Sequence, residues 1–113
     1  MGVLAYDPYV PPSHVAGLGG RMVDLETLLR ESDIMTIHCP LTDETRDMID
    51  GKELALMKPS AVVLNLARGG IINEMALHDA LSRRTIKAAA LDAFAQEPPP
   101  DEHPLFELDN ILL

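Results

Sequence analysis

The stretch "SAVVLNLARGGIINEMAL" (residues 60–77) joins an apolar run to a turn and to the start of a helix. The apolar run, 61–67, is continuous rather than alternating, which is typical of a strand covered on both faces of a parallel sheet. Arg68 follows the run directly, and the two glycines behind it, Gly69 and Gly70, are expected to let a ligand approach the backbone closely. A charged side chain at the end of a buried strand is costly unless it finds an anion. The stretch therefore predicts a buried parallel strand whose end carries an anion-binding arginine.

Short apolar runs of the same kind recur along the chain and alternate with helical patterns. The runs lie at residues 3–8, 33–40, 86–94 and 110–113. Helices are predicted after Asp24, over 50–58 and after Asn73, and the side chains of Asp24 and Asn73 can cap their helices. This alternation predicts an α/β fold, with a mostly parallel sheet of about five strands and helices on both faces.

Size and charge exclude several classes of function. A chain of 113 residues is long enough for one domain and too short for two ordinary ones. Its net charge of −9 disfavours nucleic acid and anionic membranes as partners. No apolar run approaches the roughly 18 residues of a membrane helix, and the N-terminus lacks the pattern of a signal peptide. We therefore expect a cytoplasmic protein with a small-molecule ligand.

Cysteine and histidine usage argues against a metal site. Cys39 is the single cysteine, which excludes an internal disulfide or a cysteine-based metal cluster. The four histidines, at 14, 38, 78 and 103, show no metal-ligand spacing. His38, at a strand end, has two open interpretations: it lines a ligand pocket, or it packs with its polar atoms satisfied. We predict no bound metal.

Polar residues collect where the predicted strands end. In an open parallel sheet, ligands bind outside the carboxyl ends of the strands. An arginine fork suits a carboxylate, and an acid at a strand end commonly binds the ribose hydroxyls of a dinucleotide. Two alternatives stay open: a salt bridge from the arginine to a nearby acid, and a simple turn role for the first acid. The residues concerned are Asp7, Cys39, Pro40, Arg68, Asp92 and Glu97.

The "GLGG" at residues 17–20 is not interpreted as a phosphate-binding loop. The dinucleotide fingerprint needs a third glycine at position 22, where Met22 stands, and it must follow a strand and open a helix. We predict an ordinary loop here.

The ordered set of motifs resembles the D-isomer-specific 2-hydroxyacid dehydrogenases, the family that includes D-3-phosphoglycerate dehydrogenase and hydroxypyruvate reductase. The resemblance covers nearly the whole chain. Its motifs are "YDPY" at 6–9, "LLRESDIMTIHCPLTDETRDMI" at 28–49, "MKPSAVVLNLARGGIINEMAL" at 57–77 and "ALDAFAQEPPPDEHPLFELDNILL" at 90–113.

The resemblance implies NAD as cofactor and assigns residues to it. Asp7 would hold the adenosine ribose, and Asp92 would hold the nicotinamide carboxamide. Cys39 and Pro40 would line the cofactor groove.

The resemblance also implies two residues of the reaction. Arg68 would bind the carboxylate and carbonyl of a small 2-hydroxy or 2-keto acid. Glu97 would pair with a proton-donating histidine and raise the pKa of that histidine, because a nearby carboxylate favours imidazolium. In the family this histidine follows the strand "NILL", and none of the four histidines here occupies that position.

The expected domain organisation follows from the same resemblance. Residues 1–113 are expected to form a single domain, a Rossmann NAD-binding domain without its first strand and its glycine-rich loop, which should lie about 20 residues before Asp7. Closing the resulting gap in the order 3-2-1-4-5-6 gives a flavodoxin-like 2-1-3-4-5 sheet. The competing outcome is association between chains, for instance in a homodimer.

Three functional hypotheses result. The first is the cofactor-binding portion of an NAD-dependent oxidoreductase that is inactive by itself. The second is a non-catalytic fragment or assembly module. The third is a methyltransferase-like or other nucleotide-binding α/β domain, against which Arg68, Asp92 and Glu97 argue together.

Overall fold

The computed structural model describes residues 1–113 and contains six strands, four α-helices and one 3-10 helix. The strands are β1 (Leu4–Ala5), β2 (Arg21–Met22), β3 (Ile34–Ile37), β4 (Val62–Asn65), β5 (Ala88–Leu91) and β6 (Ile111–Leu112). The helices are α1 (Pro12–Gly17), α2 (Leu25–Glu31), α3 (Gly51–Leu56) and α4 (Glu74–Ser82), and the 3-10 helix is Pro104–Glu107. None of the helices is both long and apolar enough to span a membrane.

The strands form two parallel sheets. The larger has four strands in the order β3-β4-β5-β6, and the smaller pairs β1 with β2. In the larger sheet Ile34 lies opposite Val62, and Val62 lies opposite Ala88. The predicted α/β class with parallel strands is therefore confirmed.

The predicted closed order of five strands, 2-1-3-4-5, is wrong. That order places the 3–8 run between the 33–40 run and the 61–67 run, whereas β3 pairs directly with β4 along its whole length. The cause is β2, a strand of two residues that its sequence does not reveal. With β2 counted, the strands β2-β1 and β3-β4-β5-β6 follow the doubly wound order 3-2-1-4-5-6, with the place of strand 1 open.

A cavity of about 380 Å³ occupies that open place. Its lining includes Met1–Leu4, which end in the first residue of β1, Asp33 with Ile34–Thr36 of β3, and Leu28 and Glu31 of α2. Ile34, which belongs to β3 of the larger sheet, is 63% exposed beside this cavity. The edges of β1 and β3 thus face each other without hydrogen bonding to one another.

At the carboxyl ends of β1 and β3, one side-chain hydrogen bond connects the smaller sheet with the larger one. The Tyr9 hydroxyl donates to the Glu44 carboxylate, which belongs to the loop after β3. This hydrogen bond and the charge of Glu44 raise the pKa of the Tyr9 phenol above its usual value of 10.0. The contact is therefore complete at neutral pH and is lost only as the pH rises through that raised pKa.

The hydrophobic core lies between the larger sheet and the helices α2, α3 and α4. It contains 17 buried apolar residues. As the helical pattern predicts, Leu77, Ala80 and Leu81 of α4 are buried, and Asn73 caps the helix by accepting hydrogen bonds from the Met75 and Ala76 amides. The apolar side chains that face the sheet thus place the first turn of α4 directly after the Arg68 turn.

The shorter helices α2 and α3 also begin with side-chain caps, of which the one at Asp24 was predicted. The Asp24 carboxylate accepts from the Thr27 amide at 2.7 Å and caps α2, and Asp50 and Glu53 form a capping box on α3. The hydrogen bonds from Thr27 lower the pKa of Asp24 below its usual value of 3.8. Because the folded pKa is the lower one, this cap contributes fully above the unfolded pKa and is lost as the pH falls through the folded value.

Residues 10–22 contain two elements that the sequence pattern does not reveal. Helix α1 is short, begins at Pro12 and buries no residue, and β2 has only two residues. The "GLGG" stretch closes α1 and turns into β2, with Gly19 at a φ of 87°. It follows a helix and precedes a strand, so its interpretation as an ordinary loop agrees with the structure.

Candidate functional site

Arg68 lies in a tight turn that a buried asparagine holds in place. Asn65, the last residue of β4, is 2% exposed. Its amide nitrogen donates to the Arg68 carbonyl at 2.9 Å, and its side-chain oxygen accepts from the Ala67 amide at 3.1 Å. The turn is therefore fixed by a side chain from the core, which leaves the Arg68 side chain exposed at the sheet edge.

The guanidinium of Arg68 has no acidic partner. The salt bridges of the chain involve other residues, and neither Glu97 nor Asp92 pairs with Arg68. The alternative that Arg68 serves an internal salt bridge is therefore wrong. Its donors stay available to an external anion.

Gly69 has a packing role rather than the ligand-approach role expected from the sequence. A Cβ at this position would lie 1.9 Å from the carbonyl carbon and oxygen of Phe94 and 2.4 Å from the Ala95 amide nitrogen. The main chain after β5 thus rests directly on Gly69. Gly70 has a φ of 90°, a left-handed conformation that favours glycine.

Arg68 and Glu97 come together around one open pocket. The pocket has a volume of about 230 Å³ and is lined by Leu41, Arg68, Gly69, Phe94, Ala95 and Glu97. One carboxylate oxygen of Glu97 accepts from the Phe94 amide at 2.9 Å. The other oxygen accepts no hydrogen bond, and no histidine of the chain forms a hydrogen bond or salt bridge with Glu97. The pocket therefore combines a free cation with a carboxylate that has a vacant acceptor.

The remaining predicted residues lie at the same carboxyl edge but outside that pocket. Asp92 follows β5 and is exposed, and its carboxylate accepts no hydrogen bond from the protein. Asp7 follows β1, and one of its oxygens accepts from the Tyr9 amide at 2.9 Å, which is the turn role considered from the sequence. Its second oxygen is free, so that role does not exclude ligand binding.

The predicted residues at the carboxyl end of β3 make local contacts. Cys39 is half-buried and packs against the core, and Pro40 is exposed, with its carbonyl accepting from the Thr45 hydroxyl at 2.7 Å. His38 is exposed and shares a hydrogen bond of 2.9 Å with the Thr36 hydroxyl. None of the three lines the Arg68 pocket.

Three polar residues near the site were missed by sequence reasoning. Asn65 is one, and its signal is an amide inside an otherwise apolar strand. The others are Glu74 and His103, whose side chains form a hydrogen bond of 2.8 Å beneath the loop that carries Glu97. Glu74 lies in the first turn of α4, where the helix dipole by itself favours an acid and so gives no sign of a further contact. Its true partners lie 21 and 29 residues further along the chain, a separation that no local pattern reveals.

The chain resembles known proteins over its whole length. Residues 1–113 match the family described as "D-isomer specific 2-hydroxyacid dehydrogenase, NAD binding domain". A D-3-phosphoglycerate dehydrogenase of Methanocaldococcus jannaschii is 45% identical over 113 residues, which make up 99% of this chain and 21% of that protein. The chain thus spans about a fifth of the length of that relative.

Solved structures agree with this match. A D-lactate dehydrogenase from Sporolactobacillus sp. has a TM-score of 0.90 at 35% identity, over 98% of this chain and 37% of that one. The NAD-complexed form of a D-isomer-specific 2-hydroxyacid dehydrogenase from Lactobacillus delbrueckii ssp. bulgaricus has a TM-score of 0.87 at 33% identity, over 98% of this chain and 37% of that one.

Fold and site together define a doubly wound α/β domain of the dinucleotide-binding class, with its polar residues at the carboxyl edge of the sheet. The chain belongs to the D-isomer-specific 2-hydroxyacid dehydrogenase family, in the NAD-binding domain of that family. The family resemblance found in the sequence is confirmed, and NAD is the cofactor that this domain takes in the family.

Proposed function

We propose that this chain is the cofactor-binding portion of an NAD-dependent D-2-hydroxyacid dehydrogenase, and that Arg68 is its substrate-binding residue. The observation that carries the proposal is an exposed arginine, free of any acidic partner, on a pocket shared with Glu97. A planar guanidinium binds a carboxylate through two parallel hydrogen bonds. A 2-keto acid presents a carboxylate beside a carbonyl oxygen, which is the ligand shape that this fork accepts.

The acids of the carboxyl edge fit the donors of NAD. Both Asp7 and Asp92 are exposed, and each has at least one carboxylate oxygen without a protein donor. Ribose hydroxyls and the nicotinamide carboxamide donate hydrogen bonds that such oxygens can accept. Asp7 would therefore hold the ribose and Asp92 the carboxamide, while Cys39 and Pro40 border the groove between them. When bound, NAD supplies the hydride chemistry.

Glu97 would act on a proton rather than on the substrate carbon. Its vacant oxygen is suited to accept from an imidazole, and its charge would favour the protonated ring. No histidine among residues 1–113 hydrogen-bonds to it. We therefore expect the isolated chain to bind ligands without turning them over. A positioned general acid typically contributes about 10²- to 10⁴-fold to a rate.

Arg68→Ala is expected to weaken the binding of oxamate, a stable analogue of a 2-keto acid, by about 10- to 100-fold, because a hydrogen bond to a charged group contributes about 1.5–3 kcal/mol. The oxamate affinity of Arg68→Lys should lie between those of Arg68→Ala and the native chain, since lysine keeps the charge and loses the planar fork. NMR titration of the 113-residue chain measures both. Arg30→Ala, which removes an exposed arginine paired with Glu26 on α2, is the matched control. Equal affinities in Arg68→Ala and the native chain would contradict the role of Arg68.

Asp7→Ala is expected to weaken NADH binding by about 10-fold or more, through loss of a charge-assisted hydrogen bond to the ribose. Isothermal titration calorimetry with NAD and with NADH measures the affinities. Asp43→Ala, an exposed acid on the loop after β3, serves as the control for net charge. The absence of heat at millimolar NADH would refute cofactor binding by this chain.

One observation favours a second candidate, a non-catalytic assembly module. The edges of β1 and β3 are open toward the cavity between the two sheets. A second copy of the chain that paired with these edges would satisfy their backbone groups. Light scattering distinguishes this candidate, since it requires a dimer whether or not NADH is present.

A further inference from the structure

His103 is a buried histidine with both ring nitrogens engaged. Its Nδ1 accepts from the Leu105 amide at 3.1 Å, and its Nε2 lies 2.8 Å from the Glu74 carboxylate. Because Nδ1 acts as an acceptor, the proton of the neutral ring resides on Nε2, which donates to Glu74. The side chains of His103 and Glu74 are only 9% and 14% exposed. This pair is thus a built contact rather than a surface encounter.

The second oxygen of Glu74 binds the other end of the same loop. It accepts from the Ala95 amide at 2.6 Å. One carboxylate on the first turn of α4 therefore ties down the start of the segment 95–103 through Ala95 and its end through His103. Glu74 is not needed as a helix cap, because Asn73 supplies the cap.

Residues 94–97, where the tethered segment begins, form one wall of the Arg68 pocket. The ring of Phe94 lies edge-on to His103, with centroids 5.4 Å apart, and to Phe106, with centroids 6.0 Å apart. The Phe94 amide donates to Glu97, and the Phe94 carbonyl rests on Gly69, the neighbour of Arg68. A displacement of the segment would therefore move Glu97 relative to Arg68.

We propose that Glu74 and His103 are a positioning pair, which holds residues 94–97 over Gly69 and thereby sets the spacing of Glu97 and Arg68 across the pocket. Neither residue touches the ligand. The role of the pair in ligand binding rests on the proposed function, whereas its effect on the segment can be measured without any ligand.

Glu74→Gln tests the pair on the 113-residue chain. A glutamine has one acceptor oxygen for the two donors that the carboxylate serves, so one tether is lost. Amide hydrogen exchange, followed by NMR, should accelerate at Phe94 and Ala95 by about 10- to 100-fold. The core amides of Ile49 and Ala89, which bond to Ile71 and Asn110, should stay within about threefold of their native rates.

His103 is tested by two replacements. His103→Leu keeps an apolar filling and removes both ring nitrogens, so it should reproduce the faster exchange of Glu74→Gln. His103→Gln keeps an N–H donor for Glu74 and should recover a large part of the protection. The control is Asp79→Asn, which removes an exposed acid paired with Arg83 on the same helix and should change nothing.

The link to the pocket is tested with oxamate. Glu74→Gln should weaken its binding by about 5- to 10-fold, and Asp79→Asn should leave it unchanged. Unaltered exchange at Ala95, acceleration of the core amides to the same extent, or faster exchange with undiminished oxamate affinity would each overturn the proposal. Failure of the native chain to bind oxamate would refute the proposed function, and the exchange rates alone would then decide whether the pair holds the segment.

Discussion

Gly69→Ala is expected to lower the thermal unfolding midpoint of the chain by about 10–20 °C, because forcing a side chain into a filled site costs about 2–3 kcal/mol. The added methyl group would lie 1.9 Å from the Phe94 carbonyl. A backbone carbonyl cannot rotate away as a flexible side chain can, so β4 or the segment after β5 must shift. Thermal unfolding followed by circular dichroism measures the change.

The control for this substitution is Gly17→Ala. A Cβ at Gly17 meets nothing within 4 Å, and its φ lies outside the left-handed region. Alanine there should change the midpoint by no more than about 3 °C, as is usual for surface positions. If Gly69→Ala behaved like Gly17→Ala, the contact between the Arg68 turn and the segment after β5 would be absent in solution.

Asn65→Leu is expected to reduce the free energy of unfolding by about 2–4 kcal/mol. Leucine has the same branching at Cγ but leaves the Ala67 amide and the Arg68 carbonyl without their partner, and each lost partner of a buried polar group costs about 1–3 kcal/mol. The same change frees the turn that carries Arg68, so oxamate affinity should fall with stability. Urea unfolding and the NMR titration measure the two effects.

Leu66→Ala is the comparison for Asn65→Leu. Leu66 is the next residue, is 53% exposed and makes no hydrogen bond through its side chain. Its truncation should change stability by no more than about 0.5 kcal/mol. A native-like stability of Asn65→Leu would mean that water replaces the asparagine, and that the turn does not depend on it.

Local patterns were sufficient for the helices α2, α3 and α4 and for the four strands of the larger sheet, but not for helix α1. The caps at Asp24 and Asn73 act within three residues of their own position, so the sequence contains both partners. Continuous apolarity identified β3, β4 and β5, and in each of these strands alternate residues are buried in the core. Strand β2 escaped because two residues at the edge of a small sheet need no apolar pattern.

In the candidate site, too, local features could be predicted from the sequence and long-range contacts could not. Sequence reasoning found Arg68 and Glu97 because each follows a recognisable strand, and the structure places them on one pocket. It did not find Glu74 and His103, whose contact spans 29 residues. It also assigned the wrong role to Gly69. Glycine is required there because the main chain of Phe94, far along the sequence, leaves no room for a Cβ.

The sequence by itself determined the α/β class, the capped helices, the family and the residues that stand at the carboxyl ends of the strands. These follow from periodicity, from contacts within a few residues and from motifs that are contiguous along the chain. The tertiary structure alone decided the order of the strands, the open place between β1 and β3, and the tether from α4 to the segment that faces Arg68. Those features depend on which distant backbone groups meet, and hydrogen bonds between residues far apart in the chain leave no local pattern in the sequence.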